Sequence, residues 1–182
     1  MTDALLIIDI QNDYFPGGAM ELEGSAAACA RAGRLLETFR SRTLPVAHIQ
    51  HVSMRPGATF FLPDTTGVLI HESVAPAGGE PVFQKHYPNA FRRTPLLEHL
   101  QGLGVSRLVI AGMMTHMCVD TTVRAAADLG FSCVLAHDAC AARSLSFGGA
   151  AVPAGQVHAA FLAALDGTFA TVSTVEEISK GL

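Results

Sequence analysis

Apolar residues along this chain come in short unbroken runs, and the stretches between them repeat at a helical period. Residues 4–8, 44–51, 108–111 and 133–136 read as buried strands, with 169–172 as a last one. Between them, residues 25–42, 94–103, 116–129 and 154–165 carry apolar positions three and four apart, the spacing of a helix with one face on a core. Strands that are apolar throughout and alternate with helices predict an α/β fold, with a mostly parallel sheet covered on both faces. Ligands in such folds gather outside the carboxyl ends of the strands, so candidate chemistry is sought there.

The chain has 182 residues, 49% of them apolar, which predicts one domain over residues 1–182 with a full core and no repeat or linker. Segment 55–79, rich in Pro, Gly and Thr, reads as a long loop of the kind that serves as a binding loop or lid. The formal net charge is −4 and no Lys/Arg cluster is present, which argues against nucleic acid or an anionic membrane and leaves small molecules or proteins as partners. The start, MTDALLIIDIQNDYF, has no basic leader and its apolar run is broken by Asp9; neither signal peptide nor membrane anchor is expected, and the expected compartment is the cytoplasm. Cys29, Cys118, Cys133 and Cys140 show neither CxxC nor His–Cys spacing, so free thiols are expected rather than disulfides or a zinc knuckle.

Three residues at strand ends carry the candidate chemistry. Asp9 follows an apolar run, where partial burial favours its protonated form and suits it to move protons; alone it reads more readily as a turn cap. Lys85 ends the run 82–84 at a strand-to-loop junction, where a single lysine is ordinarily a solvated charge. Cys118 says more. Thr115 reads as an N-cap, which puts Cys118 in the first turn of a helix that stops at Gly130. There the macrodipole and unpaired amides favour thiolate and can hold the oxyanion formed when it attacks a carbonyl. Cys29, Cys133 and Cys140 fit the commoner fate of a free cysteine, a small buried apolar side chain. Taken together, Asp9, Lys85 and Cys118 make a coherent set of base, cation and nucleophile.

The segments that hold them, "LLIIDIQNDYF", "FQKHYPNAF" and "AGMMTHMCVDTTVRAAADLGF", resemble the signatures of the isochorismatase-like cysteine hydrolase superfamily, which includes nicotinamidases and N-carbamoylsarcosine amidohydrolase. The resemblance spans nearly the whole chain. It implies a three-layer α/β/α sandwich around a mostly parallel, Rossmann-like sheet. It also implies Asp9 as general base and then acid, Lys85 as the cation lowering the thiol pKa, Cys118 as nucleophile, and the amides of Met114 and Cys118 as oxyanion hole. A cis peptide between Met113 and Met114 and assembly into dimers or tetramers are further implications, as is cleavage of an amide, ureide or carbamoyl C–N bond without a cofactor. The apolar segment "FGGAAVPAGQVHAAFLAAL" suits either a subunit face or a cover for the sheet.

Metal-binding nicotinamidases carry an Asp-x-His pair after the second strand, whereas this chain reads "HIQHVSMRPGATFFLPDTTG". His48 and His51, three apart, point to opposite faces of a strand, and with His71 as a third candidate no metal site is expected. Tyr14, Phe15, Phe60, Phe61 and Phe91 are expected to shape an apolar pocket, with ordinary packing as the alternative for each. Met113, Met114 and Met117 read as gap fillers, His116 as exposed, and Asp120 and Asp138 as caps. Two other readings stay open: a vinyl-ether hydrolase that uses Asp9 as acid and needs no thiol, and a catalytically silent binding domain.

Overall fold

The computed structural model describes residues 2–182. Strands β1 (Thr2–Ile8), β2 (Val46–His51), β3 (Val82–Lys85), β4 (Val105–Met113), β5 (Ser132–Ala141) and β8 (Thr171–Ser173) form one sheet in the order β3-β2-β1-β4-β5-β8. Every pairing in it is parallel. Helices α1 (Ser25–Ser41) and α5 (Val175–Gly181) cover one face, and α2 (Leu96–Gly102), α3 (Asp120–Asp128) and α4 (Ala154–Leu165) cover the other. This is the three-layer α/β/α arrangement the alternating pattern and the family resemblance imply.

The unbroken apolar run of β1 follows from this layering. Leu5 and Ile7 pack into the core beneath α1, while Ala4, Leu6 and Ile8 pack into the core beneath α2 and α3. A strand buried on both faces has no polar alternation to display. One position in β4 is restricted further: Gly112 has φ of +145°, and a Cβ there would lie 2.1 Å from the carbonyl oxygen of Ile8. Only glycine lets β4 pass that close to the end of β1.

Two elements depart from the expected pattern. A hairpin of β6 (Leu145–Phe147) and β7 (Ala150–Val152) stands outside the main sheet and leaves Phe147 90% exposed. Its strands are three residues each, too short to show a period. Helix α5 was also absent from the expected elements, although Thr174 and Glu177 close a capping box around its first turn. No helix among the described residues is long and apolar enough to cross a membrane.

Candidate active site

Four neighbouring strands deliver their carboxyl ends to one place. Asp9 directly follows β1, His51 and Lys85 end β2 and β3, and Cys118 lies just past β4. His51 and Lys85 are register partners across the β2–β3 pair, so their side chains share a face. The backbone at Asp9 is left-handed, φ +49°, a conformation Asp tolerates better than most residues, and it turns the carboxylate off the strand line.

These groups converge on the Lys85 ammonium. Its Nζ donates to Asp9 Oδ2 at 2.7 Å, to His51 Nδ1 at 3.0 Å and to Cys118 Sγ at 3.2 Å. Three N–H donors thereby meet three acceptors, and the side chains of Lys85 and Asp9 are both fully buried. Asp9, His51 and Cys118 hold ligand atoms within 4.8 Å of one another, a donor set of the kind that holds a cation. Lys85 occupies the centre of that set, so the chain supplies its own cation. Asp9 Oδ1 is buried with no partner among the described residues.

Electrostatics follow from burial and from these contacts. Burial works against the charge on Lys85, yet Asp9 and Cys118 hold its pKa above the ordinary lysine value. Burial and then the nearby ammonium push His51 down to about 4, which leaves its ring neutral and free to accept from Lys85. The Cys118 thiol is pushed up by burial and by the Asp9 charge, with Lys85 opposing. This corrects the expectation of a resting thiolate: Lys85 does favour thiolate, but burial and Asp9 outweigh it, so the thiol keeps its proton.

Because His51 titrates at about 4, it contributes no ionisation near 6.5. Any acid limb of kcat in that region is therefore expected to survive His51→Gln unchanged, and its disappearance in that variant would show that the ring is charged in the working enzyme. Stability carries the same sign. The unfolded chain binds a proton below 6.5 that the folded ring refuses, so this contribution is lost as the pH falls from 6.5 towards 4.

The backbone around Cys118 also differs from the expected cap. Thr115–Val119 forms a π turn leading into α3, and Val119 donates to the Met114 carbonyl at 3.3 Å. Such turns recur at functional sites. The position before the turn is Met114, with no side-chain cap bond. Thr115 Oγ1 instead pairs with His158 Nδ1 of α4 at 2.9 Å, and the Met113–Met114 peptide is cis. His116, expected to be exposed, is buried edge-on against Phe161. All four cysteines are free thiols.

Cys118 opens into a cavity of roughly 180 Å³, below the ordinary ligand-pocket range of about 300–1,000 Å³. Tyr14, Phe60 and Phe61 form an aromatic wall, with the Tyr14 and Phe61 rings edge-to-face at 4.6 Å. The wall is anchored from beneath. Asp13 accepts from the Phe61 amide at 2.6 Å and from the Ala19 amide at 3.1 Å, and the Gln11 side chain bridges His51 and Val68. A Cβ at Gly67 would fall 2.1 Å from the Asp13 carboxylate, so any larger residue there must push that carboxylate aside.

Not every candidate reaches the pocket. Phe15 stacks on His71, with ring centroids 3.9 Å apart, and Phe91 stacks on Phe131 in the core on the opposite face. Neither lines the cavity, whereas Met114, Met117, His51, Arg55 and His86 do. His48 turns away from His51, as their spacing implies, and bonds Glu80 Oε2 at 3.0 Å. The involvement of His51 was legible only as a strand-end position; its pairing with Lys85 needed the β2–β3 register.

Comparison with known proteins agrees with this architecture. The isochorismatase domain family matches residues 3–177. The uncharacterized isochorismatase family protein YddQ of Bacillus subtilis is 51% identical over 180 residues, covering 99% of this chain and 100% of that one. A solved isochorismatase-hydrolase structure from Oleispira antarctica superimposes with a TM-score of 0.95 at 48% identity, covering 99% of this chain and 97% of its own. Streptothricin hydrolase of Streptomyces noursei is 36% identical over 136 residues, covering 75% of this chain and 48% of that protein. A parallel sheet with a lysine-centred cluster at its strand ends, read with these matches, places the chain in the isochorismatase family of hydrolases.

Proposed function

We propose that the chain is a cysteine amidohydrolase that cleaves the C–N bond of a small amide, ureide or carbamoyl compound through a thioester at Cys118. The observation that carries this reading is the buried Lys85 ammonium bridging Asp9 to Cys118, whose thiol lines the cavity. In the resting site the thiol is protonated. As a substrate carbonyl settles against it, Asp9 takes the thiol proton, Oδ1 being the oxygen free to accept it, and sulfur bonds to the carbonyl carbon. The negative charge moves to the carbonyl oxygen, for which the family resemblance assigns the amides of Met114 and Cys118 as donors. Asp9 then protonates the nitrogen as the C–N bond breaks, and ammonia or an amine departs. Water adds to the thioester with its proton passing to Asp9. The thiolate leaves and regains that proton, returning every group to its starting state.

Throughout, Lys85 stays charged and balances whichever of Asp9 or Cys118 is the anion. The retained thiol favours this chemistry over vinyl-ether cleavage, which has no use for a nucleophile. The test is ammonia release from a panel of small amides, ureides and carbamoyl compounds, with acid-quenched intact mass on any compound that turns over. An acyl adduct at Cys118 and loss of turnover by at least about a thousandfold in Cys118→Ala are expected. Turnover that survives Cys118→Ala would overturn the covalent mechanism.

A further inference from the structure

We propose that the substrate is an anion: a small amide, ureide or carbamoyl compound bearing a carboxylate, which Arg55 holds while the scissile carbonyl lies at Cys118. This rests on the amidohydrolase reading and names the substrate class it leaves open.

The charges of the cavity point to this class. Behind Cys118 and His51, out of the cavity lining, the positive charge of Lys85 and the negative charge of Asp9 cancel within 2.7 Å, and His51 is neutral. Among the described residues no Asp or Glu lines the cavity, while Arg55 does. Arg55 has no acidic partner at ion-pair distance among those residues. Arg31, Arg40, Arg107 and Arg124 are each matched with a carboxylate, and of the six arginines that are not, only Arg55 lines the cavity. The Arg55 charge reaches inward far enough to bear on His51. A chain of net charge −4 thus presents a locally positive cavity, lined also by the apolar rings of Tyr14, Phe60 and Phe61. Such a cavity concentrates anions and repels cations.

Two features select a carboxylate. The planar guanidinium matches a carboxylate through two parallel N–H bonds, and one guanidinium balances one negative charge, whereas a phosphate dianion would leave an excess. The small cavity also limits the distance between the carboxylate and the carbonyl to that of a short acyclic compound. Another of these arginines, Arg143, bears on Tyr14 and His116 but lies outside the cavity wall, so it offers a comparison in the same neighbourhood.

The experiment pairs charged and uncharged forms of one skeleton. Ammonia release from succinamate and glutaramate is compared with that from their methyl esters, and glutarate binding to the Cys118→Ala protein is measured by calorimetry. At least one acid is expected to exceed its ester at least tenfold in kcat/KM. Arg55→Met should erase that preference chiefly through KM, Arg55→Lys should retain part of it, and Arg143→Met should leave it in place. Glutarate binding should weaken at least tenfold in the Arg55→Met/Cys118→Ala protein. Equal turnover of acid and ester, or a preference that follows Arg143, overturns the assignment and leaves the amidohydrolase reading standing. Arg55-dependent glutarate binding with no hydrolysis of any panel compound supports the anion subsite and removes the amidohydrolase reading. Glutarate binding that ignores Arg55 overturns the subsite.

Discussion

Lys85→Met is expected to lower the melting temperature by about 6–20 °C, and adding Asp9→Asn is expected to restore most of that loss without restoring turnover. The size follows from burial. Asp9 and Lys85 are both fully buried 2.7 Å apart, so removing the ammonium strands a carboxylate in the interior. Leaving one member of a buried pair uncompensated costs roughly 3–5 kcal/mol. For a chain of this size each kcal/mol is worth about 2–4 °C. Replacing both members by neutral groups of similar volume removes the stranded charge, and such replacements are often close to neutral. Activity answers to different rules, because neither variant retains both the proton carrier and the cation. Each is expected to lose about 10²–10⁴-fold in kcat/KM, the usual worth of a positioned acid or base.

Thermal melts of the two variants against the unmodified chain, with ammonia release alongside, decide the matter. If the double variant melts as low as Lys85→Met, the loss belongs to packing around the lysine stem and not to unpaired charge. The pH dependence has a fixed sign as well. The pKa of Lys85 is raised in the folded state, so its contribution is fully present at neutral pH and is lost only as the pH climbs through that raised value.

The strand-end residues were the most legible part of the site. Periodicity placed β1 and helix α4 well, and with them the position of Asp9, because a doubly buried strand must be apolar throughout and its first carboxylate marks its end. It also put Lys85 and Cys118 at junctions of the same kind. What sequence could not carry was contact. The register of β2 on β3 sets His51 beside Lys85, and nothing in the spacing of the histidines states that register. Phe15 and Phe91 sit in motifs next to the site and yet pack elsewhere, since neighbours along a turn leave it in different directions. Thr115 had the right residue type for a cap, but a π turn and a partner on α4 claimed its hydroxyl. The scaffold made by Gln11 and Asp13 was missed because a buried polar side chain reads in sequence like any loop residue.

The state of the thiol is where local and tertiary reasoning diverge most, and alkylation resolves it. Position in a first turn beside a lysine favours thiolate, while the folded site adds burial and an adjacent carboxylate, and both act the other way. Asp9→Asn deletes one opposing charge and leaves the ammonium 3.2 Å from sulfur. Labelling of Cys118 by iodoacetamide near pH 7.5 is therefore expected to quicken in Asp9→Asn by about tenfold or more, since each unit of pKa lowering multiplies a minor thiolate population by about ten. In Lys85→Met the same labelling is expected to slow. Hydrolysis is lost in both, so reactivity towards an alkylating agent and catalytic competence should move apart in Asp9→Asn and fall together in Lys85→Met. Cys29 and Cys133, held at about 11, and Cys140, at about 12, serve as internal standards whose peptides should label alike in every variant. Slower labelling of Cys118 in Asp9→Asn would mean that Asp9 already draws the proton away in the free enzyme, with Lys85 and sulfur forming a standing ion pair. Faster labelling would mean that the carboxylate holds the thiol in reserve and that attack begins only when a carbonyl is in place to receive the charge.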